Sequence, residues 1–324
     1  MSKNKKDFKN LEEAIIGIRK EMGDDAIIQI DKDQRKSIES IPTGSFSLDD
    51  ALGVGGVPKG KVIEIFGQEA TGKTTLALHI IREAQKLKGV AAFIDAENAL
   101  DLDYAELIGI NVGKLLISQP DSAEQALQIV EGLVNSKGVS VIVIDSVAAL
   151  SPRAEIEGEI GDVTIGLQAR LMSSTLRKLS KGISESGTSV IFLNQVRQKI
   201  GGYGNPEVTS GGLALKFYSS VRIQLKKGAR LKSKDVEIGQ RIKANVVKNK
   251  VAPPFRTTEY DIYYDEGISY VADVLGVAIE KKIIGKAGAW LSFEDKKAAG
   301  FEGMKKELEN NDELLKKLVE KVRE

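Results

Sequence analysis

The sequence contains no cysteine and only one histidine, His79. Disulfides and thiolate metal sites are therefore excluded, and so is any metal site built from several histidines. A metal ion that binds this chain must be held by oxygen ligands.

Long hydrophobic runs are also absent. No apolar stretch approaches the roughly 20 residues that span a bilayer, and no apolar signal-peptide core follows the basic opening MSKNKK. We therefore expect a cytoplasmic protein that is neither inserted into a membrane nor secreted.

The sequence also lacks an excess of charge of either sign. The 324 residues include 47 basic and 46 acidic side chains, a formal net charge of +1. Binding to nucleic acid is not indicated by this balance and would have to come from the local distribution of charge. The length exceeds what one hydrophobic core usually serves, which predicts a substantial domain with smaller attachments.

The middle of the chain alternates between apolar strands and amphipathic helices. From Lys61 onward, strand-like runs such as KVIEIFG, VAAFIDAE and VSVIVID are separated by helical patterns. Apolar runs without alternation are typical of strands covered on both faces, so an α/β fold with a mostly parallel, twisted sheet flanked by helices is predicted. The later runs SVRIQLKKG, RIKANVVKNK and TTEYDIYY alternate more, which predicts antiparallel strands added at one edge.

Two smaller parts flank this core, which we assign to residues 35–268. Residues 1–34 contain an amphipathic helix over 7–23 and a strand-like run, AIIQI, at 26–30. These two elements dock either on the core or on a neighbouring copy, because an unpaired strand edge invites a partner. Residues 269–324 read as a small α+β domain, whose lysines form either a site for duplex DNA or a solvated face: Lys281, Lys282, Lys286, Lys296 and Lys297.

The stretch GQEATGKTT matches the phosphate-binding P-loop pattern G-x-x-x-x-G-K-[ST], with a strand before it and a helix after it. Gly67 and Gly72 let the backbone amides wrap around phosphate, Lys73 adds a positive charge, and Thr74 offers a hydroxyl to Mg²⁺. The pattern predicts a nucleotide site with ATP and Mg²⁺, formed by Gly67, Gln68, Glu69, Ala70, Thr71, Gly72, Lys73, Thr74 and Thr75.

A P-loop also predicts a carboxylate at the end of a neighbouring strand. VIVIDS places Asp145 there, as the partner of Thr74 in holding the metal ion. A further carboxylate must orient or deprotonate water, and the strand AAFIDAE ends in two candidates, Asp95 and Glu97. Spacing does not decide between them, although Asp95 is better suited to capping the next helix.

Several long motifs in one order resemble the RecA family of P-loop ATPases, from about residue 40 to residue 290. They are GQEATGKTT, FIDAENALD, VIVIDSVAAL, AEIEGEIGD, LNQVRQKIG, GNPEVTSGG and ALKFYSSVR. The resemblance implies that Glu97 activates water, that Asp101 and Tyr104 lie near the adenine, and that Gln195 senses the γ-phosphate. It also implies that Lys248 and Lys250 reach the ATP site of a neighbouring subunit.

The same resemblance implies two DNA-binding loops, at about 156–166 and 195–210. The first is acidic, so charge alone would not have predicted this role. By this likeness the residues that contact DNA are Ile165, Arg170, Ser173, Arg177, Arg197, Lys199, Ile200, Gly211 and Gly212.

The function that the resemblance implies is ATP-dependent recombination. Such a protein forms a helical filament on single-stranded DNA, pairs it with homologous double-stranded DNA and exchanges strands, with DNA-stimulated ATP hydrolysis. A LexA-type repressor that cleaves itself in the SOS response is the expected protein partner. A hexameric helicase of the same core fold is the alternative.

Overall fold

The structure is a computed structural model that describes residues 3–27, 37–159, 166–198, 207–233 and 235–323. It forms two compact units, residues 1–38 and 39–324. Among the described residues, no helix is both long enough and apolar enough to cross a membrane.

The first unit contains helix α1 (Lys3–Met22), followed by a 3₁₀ turn at Asp24–Ala26. The Arg19 guanidinium donates to the Ile27 carbonyl oxygen and ties the turn back to the helix. Leu11, Ile16 and Met22 are exposed on α1, so this helix carries unpaired apolar surface. The predicted strand at 26–30 and the predicted boundary at 34/35 fall largely outside the described residues.

The second unit contains the α/β core. Its elements through the middle of the chain are β1 (Ser40–Ile41), α2 (Phe46–Leu52), β2 (Val57–Pro58), β3 (Val62–Gly67), α3 (Lys73–Lys86), β4 (Ala91–Asp95), α4 (Leu102–Ile108), β5 (Leu115–Ser118), α5 (Ala123–Ser136), β6 (Val141–Asp145), α6 (Arg153–Ile156) and α7 (Leu167–Ser186). The elements that follow are β7 (Ser189–Gln198), β8 (Glu207–Thr209), α8 (Ala214–Tyr218), β9 (Val221–Ser233), β10 (Val236–Asn249), β11 (Thr257–Tyr263) and β12 (Gly267–Ile268).

One twisted sheet organises the core, with strand order β12-β11-β10-β9-β3-β7-β6-β4-β5. The run from β9 to β5 is parallel, which confirms the predicted α/β fold. The antiparallel prediction holds for SVRIQLKKG on one side only, because β9 is antiparallel to β10 but parallel to β3. Helix α8 intervenes between β7 and β9 and helps the chain cross over, as parallel strands require. Strands β10, β11 and β12 are antiparallel, as predicted.

Both faces of this sheet are buried, which explains why its strands are continuously apolar. Along β3, Val62 packs with the cluster under α5 and α7, whereas Ile63 packs with the cluster under α3. Each fully buried aliphatic side chain contributes roughly 1.5 to 3 kcal/mol to folding. The core therefore holds the carboxyl ends of the parallel strands in fixed relative positions.

The C-terminal part comprises α9 (Tyr270–Glu280), the three-stranded antiparallel sheet β13 (Gly285–Ala287), β14 (Trp290–Phe293) and β15 (Lys296–Ala299), and helices α10 (Gly300–Glu309) and α11 (Asp312–Arg323). Its hydrophobic cluster includes Phe46 from α2. Asp273 on α9 also accepts hydrogen bonds from Ser45 Oγ at 2.6 Å and Ser47 N at 3.1 Å. The C-terminal part is thus joined to the start of α2 by both apolar and polar contacts.

Candidate functional site

The P-loop connects β3 to α3 and needs glycine at both of its ends. A Cβ on Gly67 would lie 2.4 Å from the Leu225 carbonyl oxygen, and Gly72 has a φ of +76°. Other residue types would clash at the first position and be strained at the second. Residues 68–70 between them are exposed, so the loop is accessible to an anion at the start of α3.

Lys73 lies across this loop. Its Nζ donates to the Gln68 carbonyl oxygen at 2.8 Å, and Thr71 Oγ1 donates to the same oxygen at 2.9 Å. Burial lowers the pKa of Lys73, and the nearby carboxylates Asp145 and Glu97 oppose that shift. A bound phosphate would add negative charge and favour the protonated ammonium further.

Thr74 and Asp145 meet at the other side of the loop. Thr74 Oγ1 donates to Asp145 Oδ2 at 2.6 Å, which joins the first turn of α3 to the end of β6. Burial raises the pKa of Asp145 to about 6. One hydroxyl and one carboxylate suit Mg²⁺, which keeps most of its waters and binds substrate phosphates rather than a cage of carboxylates. Consistent with this, the described residues contain no cluster of three or more acidic or histidine ligands.

Asp95 and Glu97 differ sharply in their surroundings. Asp95 is buried and accepts hydrogen bonds from the amides of Ala99 and Leu100 and from Gln119 Nε2. Glu97 is exposed. Ser146 Oγ donates to Glu97 Oε1, and Gln195 Nε2 lies 3.4 Å from the same oxygen. Only Glu97 is accessible to a water molecule, whereas Asp95 has a structural role in the loop before α4.

Asp101 and Tyr104 begin helix α4 beside the P-loop. Asp101 caps the helix by accepting from the Tyr104 amide at 2.9 Å. The Tyr104 hydroxyl lies 3.5 Å from Thr75 Oγ1. The aromatic ring is therefore held at the edge of the P-loop.

Gln195 lies on β7, and this strand continues further than the sequence indicated. We predicted a loop from 195 to 210, but β7 extends to Gln198 and pairs in antiparallel fashion with β8, with Val196 opposite Thr209. The described parts of this segment, 195–198 and 207–209, are thus the paired strands of a β-hairpin. Arg197 is exposed on it, while Lys199 and Ile200 lie outside the described residues.

The hairpin returns against the start of α7. Gly211 and Gly212 have φ angles of +78° and +72°, and added Cβ atoms would lie 2.9 Å from Val147 and 2.8 Å from Ala169. Both glycines are thus required by the fold, whatever else they contact. Gln168 Oε1 accepts from the Gly211 amide at 3.1 Å.

Helix α7 presents Arg170, Ser173 and Arg177 at the spacing of one helical face. Both arginines are exposed. Part of the first predicted loop precedes this helix: residues 157–159 are exposed, whereas Ile165 lies outside the described residues.

Lys248 and Lys250 come together at the end of β10. Lys248 Nζ donates to the carbonyl oxygens of Lys216 and Phe217, at 2.5 and 3.1 Å, and Lys250 Nζ lies 3.5 Å from the latter oxygen. Burial and the neighbouring charge of Lys250 lower the pKa of Lys248. Two ammonium groups thus lie side by side near Phe217, whose exposed fraction is 68%.

Comparison with known proteins identifies the family to which the chain belongs. The family model for the RecA N-terminal domain matches residues 9–269, and the model for the RecA C-terminal domain matches residues 272–324. The chain belongs to the RecA family.

Curated relatives named Protein RecA are similar over nearly the whole chain. The protein from Geobacter metallireducens is 56% identical over 319 residues, which cover 98% of this chain and 94% of the relative. That from Geobacter sulfurreducens is 56% identical over 317 residues, covering 97% and 94%. That from Clostridium novyi is 51% identical over 323 residues, covering 99% and 92%.

Some residues that shape this RecA-family site were not identified from the sequence. Ser146, which donates to Glu97, carried no signal beyond its place after Asp145. Glu64 did carry one, because it is an acidic residue within the apolar strand VIEIFG. Its partners Asn194 and Arg222 come from distant parts of the chain, and their meeting was not foreseeable from spacing.

Proposed function

We propose that this RecA-family protein is an ATP-dependent recombinase in DNA repair. It binds single-stranded and double-stranded DNA, assembles into a helical filament and exchanges homologous strands, with DNA-dependent ATP hydrolysis. Membership of the RecA family and the near full-length relatives support this function and do not favour the hexameric helicase. The structural observation that carries it is Gln195, which contacts Glu97 from the base of the β7–β8 hairpin.

The nucleotide is held at the P-loop. Backbone amides of Gly67–Thr75 and Lys73 bind the phosphates, and Asp101 and Tyr104 lie against the base. Thr74 and Asp145 would hold Mg²⁺, a fit supported by their 2.6 Å hydrogen bond. When bound, the ion neutralises charge on the phosphate oxygens.

Hydrolysis requires a base at Glu97. Ser146 and Gln195 both engage Oε1 of this carboxylate, which leaves Oε2 as the oxygen that accepts a proton from water. A shift of Gln195 moves the Nε2 donor that contacts the catalytic base Glu97. It also moves β7, the strand that leads into the hairpin. ATP binding and hairpin position are thereby coupled.

DNA lies along the hairpin and α7. Arg197 and Lys199, with Arg170 and Arg177 on α7, neutralise phosphates, and Ser173 adds a hydroxyl. Gly211 and Gly212 give the backbone close access. Ile165 and Ile200 wedge between bases, as apolar side chains do in other DNA-binding proteins. Base pairing between strands reads the sequence, while the protein holds backbones.

Assembly completes the active site. Lys248 and Lys250 stabilise negative charge at the ATP bound to the adjacent protomer, in the manner of an arginine finger supplied in trans. Helix α1, with its exposed apolar residues, links successive protomers, and the C-terminal lysines receive duplex DNA. Within that set, Lys281 donates to the Val322 carbonyl oxygen and Lys297 lies over the Trp290 ring. A cytoplasmic location and a LexA-type repressor as partner in the SOS response complete the proposal.

Strand exchange tests this function. A single-stranded circle is incubated with ATP, Mg²⁺ and either a homologous or an unrelated linear duplex. Joint molecules are expected only with the homologous duplex, whereas equal unwinding of both duplexes would establish a helicase instead. Lys73→Ala is the control, because without the phosphate-binding charge it should lose nucleotide-dependent DNA binding even at high ATP.

A further inference from the structure

A buried carboxylate lies beneath the hairpin. Glu64 on β3 has no exposed surface. Its Oε2 accepts from Arg222 Nε at 2.5 Å, and its Oε1 accepts from Asn194 Nδ2 at 3.0 Å. Each oxygen thus faces a donor, which only a carboxylate satisfies. The neutral isostere glutamine would place its own NH₂ against one of them.

Asn194 connects this carboxylate to both strands of the hairpin. Its Nδ2 also donates to the carbonyl oxygen of Ser210, just after β8, at 3.0 Å. Its Oδ1 accepts from the amide of Gln195, on β7, at 2.9 Å. One amide side chain therefore holds the start and the return of the hairpin at a common base.

On its other side the carboxylate binds Arg222, which contacts the residue before the P-loop. Glu64 lies three residues before Gly67, and β3 pairs with β7 on one side and β9 on the other. Arg222 on β9 also stacks over the ring of Phe66, with its guanidinium carbon 4.5 Å from the centroid. The network spans three adjacent strands and ends at Phe66, immediately before the first glycine of the P-loop.

We propose that Glu64 is a positioning residue that couples the hairpin to the nucleotide site. Acting through Asn194, it fixes the base of the hairpin and the backbone of Gln195 relative to the P-loop. This inference rests on the proposed function and assigns it a further residue. A buried ion pair contributes little net stability compared with apolar packing. The two directional hydrogen bonds of Glu64 are therefore better explained by the positioning of its partners than by stabilisation of the fold.

The test compares Glu64→Gln with a control at a more exposed arginine–carboxylate pair of the same sheet. Asp261→Asn removes a carboxylate that receives Arg241 Nε and Nη2 at 2.7 and 3.0 Å on the neighbouring strands β10 and β11, away from the hairpin. ATP hydrolysis is measured with and without single-stranded DNA. In Glu64→Gln the stimulation by DNA should fall about tenfold, the effect expected of one lost hydrogen bond to a charged group. The DNA-independent rate should stay within about twofold, and Asp261→Asn should retain normal stimulation.

Asn194→Ala, and the double variant that combines it with Glu64→Gln, test whether Glu64 acts through Asn194. If Glu64 acts through Asn194, the double variant should lose no more stimulation than the more affected single variant. A loss of stimulation in the double variant that equals the product of the losses in the two single variants would overturn the proposal. So would an equal fall of the stimulated and unstimulated rates in Glu64→Gln, which marks a purely structural role. If Glu64→Gln does not fold, Asn194→Ala should still lose DNA stimulation selectively, and normal stimulation there would overturn the proposal.

The wild-type protein separates this inference from the function it rests on. If wild type shows neither DNA-stimulated hydrolysis nor homology-dependent exchange, both the function and the inference fail. If wild type shows both activities and Glu64→Gln keeps full stimulation, the inference alone fails.

Discussion

Thr74 Oγ1 and Asp145 Oδ2 are joined by a 2.6 Å hydrogen bond, although the residues are 71 positions apart. The bond brings the hydroxyl of the P-loop helix to a half-buried carboxylate at the end of β6. The sheet and the start of α3 thus bring together the hydroxyl and the carboxylate that we propose as the ligands of Mg²⁺.

Thr74→Val should weaken the binding of ATP in the presence of Mg²⁺ more than its binding in the absence of Mg²⁺. Valine keeps the shape of threonine but has no hydroxyl, so the affinity for ATP in the presence of Mg²⁺ should fall about tenfold or more. Thr74→Ser retains the hydroxyl and should bind ATP nearly as wild type does. Titration with a fluorescent ATP analogue, with Mg²⁺ and with a chelator, measures the difference. An equal loss under both conditions would show that the hydroxyl acts on phosphate alone.

Glu97→Gln and Asp95→Asn should affect different properties. Glu97→Gln should bind ATP and DNA but hydrolyse ATP at least about 100-fold more slowly, because amide nitrogen and oxygen are poor bases. Asp95→Asn places an NH₂ group opposite N–H groups that now donate hydrogen bonds to Asp95. It should therefore lower the free energy of unfolding by about 1 to 3 kcal/mol. Single-turnover hydrolysis and urea unfolding measure these effects. Near-normal turnover in Glu97→Gln would show that Glu97 is not the base.

Gly67→Ala should fail for steric reasons. The added Cβ would lie 2.4 Å from a backbone oxygen of β9, and strand pairing leaves that oxygen little room to move. We expect a loss of about 2 kcal/mol or more in stability together with weaker ATP binding. Gly276→Ala is the control, since no atom lies within 4 Å of its added Cβ and alanine favours the helix by up to about 1 kcal/mol. A Gly67→Ala protein as stable as wild type would mean that β3 and β9 separate easily.

Asp49 should make stability depend on pH. Burial raises the pKa of its carboxyl to about 7, against two hydrogen bonds from Thr43. In the unfolded chain the value is about 3.9. Between these values the folded protein keeps a proton that the unfolded chain has released, so the free energy of unfolding falls as pH rises through this window.

Asp49→Asn removes this dependence. Both Thr43 bonds reach Oδ1, which the asparagine oxygen can replace. The variant should exceed wild type in stability at pH 8 by on the order of 1 to 2 kcal/mol, and the difference should vanish near pH 4. Urea unfolding across this range measures it, with Asp50→Asn on the same helix as the control. A difference that is constant with pH would contradict the assignment to Asp49.

Local chemistry made much of this fold predictable. A helix cap involves neighbours in sequence, as at α5, where Ser122 accepts from the Gln125 amide. The P-loop was recognisable for the same reason. The parallel direction of β9 and the pairing of β7 with β8 depend on crossovers and long-range register, which periodicity does not encode. The Glu64 to Arg222 contact joins residues 158 positions apart, so only the folded sheet brings them together.

The hydrogen bond from Ser45 to Asp273 has a consequence for synthesis. These residues are 228 positions apart, and the serine caps the first helix of the core. Residues up to Asp273 must therefore be synthesised before that helix receives this acceptor. Until then the nascent core keeps the Ser45 hydroxyl and the Ser47 amide without the Asp273 carboxylate, so α2 should reach its full stability only after α9 has been made.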